Sequence, residues 1–157
     1  MKAWLSHTDG EADAAAGERI FFHPRAAGCY RCHQINGRGG RMGPELSSAA
    51  RQLDRVKLIE AIIEPSKEIA PRFVPWSIIT TDGRALTGLL VNEAVTGEQT
   101  YADSDGGLFV LRPEQIEQRV PHGKSIMPDN LADQLTRHEL RDLLAFLHGR
   151  DWRRTVK

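Results

Sequence analysis

The chain has 157 residues, 40% hydrophobic and 27% charged, with 21 basic side chains against 21 acidic ones. Those proportions suit a globular domain long enough to bury a core. A formal charge of zero gives no bulk electrostatic drive toward nucleic acid or an anionic membrane, and no apolar run approaches the length of a bilayer span.

Residues 1–10 read as a ragged start without the apolar core of a signal peptide. Asp13 to Phe22 is alanine-rich, ends in Ile20-Phe21-Phe22 and predicts a helix broken by Pro24 and Gly28. Cys29-Tyr30-Arg31-Cys32-His33 follows, then a loop carrying Gly37, Gly39, Gly40 and Gly43. Glycines let backbone pass close to another group. A phosphate cradle is disfavoured, since no strand precedes them and no Gly-Lys-Ser/Thr follows. Ser47 to Glu64 predicts one helix, capped by Ser47 or Ser48 and stopped by Pro65. Its apolar face would be Leu53, Val56, Leu58, Ile59, Ile62 and Ile63.

From Phe73 to Val120 the character changes. Trp76 to Thr81, Ala85 to Val91, Gln99 to Ala102, Leu108 to Leu111 and Ile116 to Val120 read as strands. Asp82-Gly83 and Asp105-Gly106-Gly107 supply turns, so the region predicts an antiparallel meander. Pro121 to Asp129 is a loop with Ser125-Ile126-Met127-Pro128. Thr136-x-x-Glu139 is a capping box opening a last helix that buries Leu140, Leu143, Leu144, Phe146 and Leu147 and ends at Gly149. The expected organisation is one domain in three parts: a helical part over 11–72, a β-rich insert over 73–120, and a loop with a final core helix over 121–150.

The two cysteines are the only ones in the chain, and a histidine directly follows the second. That spacing reads as an attachment site for a c-type haem. On a helical turn Cys29 and Cys32 face the same way, so each thiol can add to one vinyl group of a single haem. His33 can then offer the iron a neutral imidazole nitrogen. A thioredoxin-like dithiol would want a βαβ setting, which is missing. A structural zinc would want four ligands. There is no second cysteine pair, and His7, His23, His122, His138 and His148 are not spaced as a set.

Haem iron held by His33 needs a second axial ligand or an open site. Only Met1, Met42 and Met127 carry thioethers. Met127, in a loop stiffened by Pro128, is the preferred candidate, with His122 of the same loop as its rival. Met42 is close to His33 in sequence for reaching the far face of a haem. Met/His ligation raises the reduction potential relative to two imidazoles.

The order of these parts resembles that of class I c-type cytochromes. The resemblance is nearest to the haem-binding domain found in Planctomycetes and Verrucomicrobia, and it covers nearly the whole chain. It is carried by Cys29 to His33, Gly39-Gly40 with Gly43-Pro44, Glu64-Pro65-Ser66, Thr81-Asp82-Gly83-Arg84 with Thr87-Gly88, Ser125 to Pro128, and Leu143 to Leu147. It implies a mainly α cytochrome c fold of class I, with a β meander inserted between the second core helix and the methionine loop. It also implies that the Pro44 carbonyl accepts a hydrogen bond from the His33 ring and raises its basicity.

The functional expectation is a mono-haem c-type cytochrome that passes single electrons between protein redox partners and is not itself an enzyme. A haem sensor or peroxidase-like domain with a labile Met127 is the alternative. A structural domain that carries haem within a larger enzyme is the third class. Among Arg38, Arg41, Arg72 and Lys124, Arg72 is the best candidate for a haem propionate, and Trp76 is a candidate to pack on the haem edge. The exposed edges of the insert make it a candidate homodimer surface. Covalent haem attachment is made outside the cytoplasm. The expected location is therefore periplasmic or otherwise exported, with a leader removed or with the chain cut from a larger exported protein.

Overall fold

The computed structural model of the protein describes Thr8 and residues 10–149, Ala49 by its backbone alone. Residues 1–6, His7 and position 150, all part of the reading above, lie outside the described residues. The chain divides into two compact units: Met1–Pro65 with Asp129–Lys157, and Ser66–Pro128.

In the first unit, helix α1 spans Ala14–Phe21. The Asp13 carboxylate accepts from the Ala15 N–H at 2.8 Å, satisfying one of the amides that a helix start leaves unpaired. Two short helices follow, α2 over Leu46–Gln52 and α3 over Arg55–Ile63. The single helix expected over 47–64 is thus split. Leu53 is extended, and the Asp54 side chain caps a fresh start by accepting from the Lys57 N–H at 2.8 Å. The first of the pair is capped by Glu45, which accepts from the Ser47 N–H, not by a serine. The break turns Leu53 and Val56 outward, 38% and 43% exposed, and leaves Leu58, Ile59 and Ile62 in the core.

Helix α4, Arg137–His148, starts at the capping box, where the Glu139 N–H donates to Thr136 Oγ1 and the Thr136 N–H donates to Glu139 Oε2. It crosses α1 at Gly17. A Cβ there would lie 2.0 Å from the Asp142 carbonyl oxygen, so only glycine permits this approach. Asp142, buried on α4, accepts from the Asp13 N–H at 2.9 Å. Phe21, Ile59, Leu140, Leu143 and Leu144 close the core, each fully buried large side chain contributing about 1.5–3 kcal/mol.

The second unit is a five-stranded antiparallel sheet: β3 Trp76–Thr80, β4 Ala85–Glu93, β5 Gln99–Ala102, β6 Leu108–Leu111 and β7 Ile116–Pro121, with β1 and β2 in the first unit described below. The strand order is β6-β5-β4-β3-β7. Four strands form a meander, and the fifth returns to the free side of β3. Strand β4 serves both halves: Gly88 faces Trp76 of β3, while the next residue, Leu89, faces Ala102 of β5. Ile78, Tyr101 and Leu111 make a core of their own.

The expected mainly α class I cytochrome c fold is therefore overturned. The described residues hold four α-helices, a five-stranded sheet and a two-stranded one. The physical reason is that residues 76–121 are not a decoration on a helical core. Their alternating side chains bury a separate apolar centre, and their backbone pairs strand to strand.

Candidate functional site

The cysteine motif occupies one tight 3₁₀ turn, Cys29–Arg31. The Cys32 and His33 N–H groups both donate to the Cys29 carbonyl, at 3.3 and 2.9 Å. Both cysteines are free and half-buried. Burial pushes the Cys29 thiol up to about 11, against a smaller opposing backbone hydrogen bond and with a small contribution from Cys32. Burial raises the Cys32 thiol as well, opposed by the Arg31 charge. Protonated thiols are poor nucleophiles for disulfide exchange, which weighs against the dithiol reading.

The chain then turns back on itself. Strands β1, Gln34–Ile35, and β2, Arg38–Gly39, pair through Asn36-Gly37, both at positive φ (49° and 77°). That is the backbone of a tight hairpin with a primed turn. The hairpin replaces the plain glycine-rich loop expected there, and the Asn-Gly dipeptide is its local signal. Past the hairpin, the Gly40 N–H donates to the Tyr30 carbonyl at 2.7 Å and the Gly43 N–H to the Cys32 carbonyl at 2.8 Å. The loop is thereby laced to the motif rung by rung.

The lacing fixes His33. Its Nδ1 lies 2.9 Å from the Pro44 carbonyl oxygen. A carbonyl only accepts, so the proton sits on Nδ1 and Nε2 carries the lone pair. Gly43 lies flat against the ring: a Cβ there would come within 2.6 Å of Cε1 and 2.8 Å of Nδ1. Burial lowers the imidazole pKa below its ordinary value, with the Pro44 bond pulling weakly the other way. His33 is thus held neutral, oriented by a hydrogen bond at one nitrogen and basic at the other. A metal-ligating histidine is held in the same way.

The second unit holds Arg72, Trp76, His122 and Met127. Arg72 and Trp76 share one open groove of about 500 Å³ with Ile69, Val74, Leu89 and Pro121. The Arg72 guanidinium also lies 5.1 Å from the Phe73 ring centroid, and Trp76 carries Arg119 over its face at 4.4 Å. Arg119 in turn donates to Gln99 Oε1 at 2.8 Å and to the Tyr101 hydroxyl at 3.0 Å. Nothing in the sequence patterning pointed to this network, because its members lie on three different strands. Met127 is half-buried, and its N–H donates to Ser125 Oγ. His122 is tied to Ser77 Oγ through Nδ1 at 2.8 Å, and its N–H donates to the Pro75 carbonyl. Met42 is buried in the first unit.

No family model matches the chain, and no curated protein matches it. No helix among the described residues is long and apolar enough to cross a membrane. The donor set fits a c-type haem on its own chemistry: two reduced cysteines on one turn, followed by an imidazole whose proton is already committed away from Nε2.

Proposed function

We propose that the protein is a mono-haem electron carrier, with Cys29 and Cys32 bearing the haem thioethers and His33 as one axial ligand. The observation that carries this reading is the hydrogen bond from His33 Nδ1 to the Pro44 carbonyl, one residue past two free cysteines on a single turn. When bound, the haem supplies reversible one-electron chemistry at its iron.

The chain's own residues do the rest. Pro44 holds the ring orientation and keeps Nε2 unprotonated. Gly43 leaves the ring room to sit in that orientation. Burial keeps His33 neutral and excludes water, which holds the reduction potential up. Met127 is the thioether the sequence offers as a further ligand, its sulfur being the softest donor in the loop before the last helix. Protein redox partners, an exported location and the absence of an enzymatic reaction belong to the same reading.

The optical spectrum of the haem-loaded chain tests it. A His/Met ferric haem shows a weak band near roughly 695 nm, which Met127→Ala abolishes. A chain that never retains haem covalently sinks the carrier reading. A spectrum unchanged by Met127→Ala sinks the ligand alone.

A further inference from the structure

Charge is not spread evenly over this neutral chain. Residues 17–51, which contain the whole motif and its lacing loop, hold six arginines against two carboxylates, Glu18 and Glu45, a net +4. Arg38 is engaged, donating to Glu18 at 2.9 Å and lying 4.0 Å over the Phe22 ring. Arg25, Arg31 and Arg41 are exposed, and none has a carboxylate within ion-pair reach among the described residues.

The fold brings the backbones that carry these three close together. Arg31 donates to the Pro24 carbonyl at 2.8 Å, which lays its guanidinium beside the backbone of Arg25. Gly40 is pressed on Arg31: a Cβ at Gly40 would come within 2.0 Å of the Arg31 carbonyl oxygen. Arg41 is the next residue. Like charges held together without counter-charges repel, so the arrangement costs stability in isolation and is relieved by an anionic surface.

Resting on the electron-carrier reading, we infer that Arg25, Arg31 and Arg41 form the docking face for an acidic patch on a protein redox partner. Guanidinium groups pair with carboxylates in a fixed two-point geometry. The large apolar side chains exposed in the described part of this unit are Leu53 and Val56, outside the patch. Nothing in the patch would insert into a lipid surface, so acidic protein is the favoured occupant. Complementary charge of this kind speeds encounter and is weakened by salt.

The test uses the full chain, with and without haem, titrated with poly-L-glutamate. A parallel arm uses vesicles of phosphatidylserine and phosphatidylcholine. Arg25→Gln, Arg31→Gln and Arg41→Gln are combined; the Gln amide at 31 still donates toward Pro24. A control triple, Arg84→Gln, Arg112→Gln and Lys124→Gln, removes the same charge from the other unit. The expected result is polyglutamate binding at low salt that the motif triple weakens by at least about tenfold and the control triple by less than about twofold, with the difference lost at high salt. In the haem-loaded chain the motif triple should slow oxidation by ferricyanide and leave a cationic oxidant as fast or faster. Equal weakening by both triples, no binding to polyglutamate, or capture by vesicles alone would overturn the inference. A chain that takes up no haem would sink the carrier reading, while the polyglutamate titration still judges the surface.

Discussion

The motif region, residues 28–44, and the sheet region, residues 76–121, satisfy their backbones in opposite ways. The sheet does so by repetition. Each strand alternates its side chains, and one register carries a run of pairs, as in Trp76 opposite Gly88 through Ile79 opposite Ala85. The motif region has only the short pairing of Gln34–Ile35 with Arg38–Gly39. Its other cross-loop hydrogen bonds run from Gly40 to Tyr30, Gly43 to Cys32 and His33 to Pro44, each between different partners and the last through a side chain. A repeating solution spreads its energy over many equivalent contacts. A laced loop concentrates it, so a single added methyl group can displace the one side chain that matters.

The largest effect is expected from steric changes against backbone. Gly17→Ala sets a Cβ 2.0 Å from the Asp142 carbonyl oxygen, so α1 and α4 must part. A loss of roughly 3 kcal/mol or more is expected in urea unfolding. Gly88→Ala in the sheet meets the tip of the Phe109 ring at 2.8 Å, which can swing aside, and the Tyr101 Cβ at 2.9 Å, which moves only with its strand. It should cost about 1–2 kcal/mol. Equal costs at the two sites would show that a backbone carbonyl in the way is no more costly than the sheet's side-chain contacts.

Next comes Gly43→Ala, whose Cβ would sit 2.6 Å from His33 Cε1. It should cost about 2 kcal/mol and, in the haem-loaded chain, abolish the low-spin spectrum by tilting the ring off Pro44. A spectrum like the parent's would show that the ring does not need the flat contact.

A smaller effect is expected from Tyr101→Phe. The buried hydroxyl donates to Gln99 Oε1 at 2.6 Å and accepts from Arg119. Arg119 keeps Gln99 as a partner, so the loss should be about 1–2 kcal/mol. Thermal unfolding read by circular dichroism would report it; a neutral result would mean that water replaces the hydroxyl.

The gentlest probe is pH. Burial lowers the pKa of His33, so below about 6.5 the unfolded imidazole takes up a proton that the folded one refuses. Stability of the haem-free chain is therefore complete above about 6.5 and falls as pH drops toward the folded value, by at most about 1.4 kcal/mol per pH unit. His33→Gln should flatten that slope in urea titrations at pH 5 and 7. An unchanged slope would assign it to other groups.

Much of both regions could be read from the chain itself. The strands expected at 76–81, 85–91, 99–102, 108–111 and 116–120 lie within two residues of those observed at 76–80, 85–93, 99–102, 108–111 and 116–121, because period-2 alternation and Asp-Gly turns are local properties. The last helix followed from Thr136, Glu139 and its leucine spacing. The break at Leu53 and Asp54 was missed, since one capping carboxylate outweighed a favourable apolar period there. The fold class was misjudged for a related reason: strands that looked like an excursion from a helical protein carry their own core.

By itself, then, the sequence determined the chemistry on offer: two thiols, one adjacent imidazole, three thioethers and the strand alternation. Those depend only on residue type and short spacing. The tertiary structure alone decided which imidazole nitrogen carries the proton, which carbonyl accepts it, that the fifth strand pairs with the first of its sheet, and that Arg31 reaches back to the Pro24 carbonyl. Each of these is a contact between residues whose separation in the chain says nothing about their distance in space, so it could emerge only once the backbone had folded.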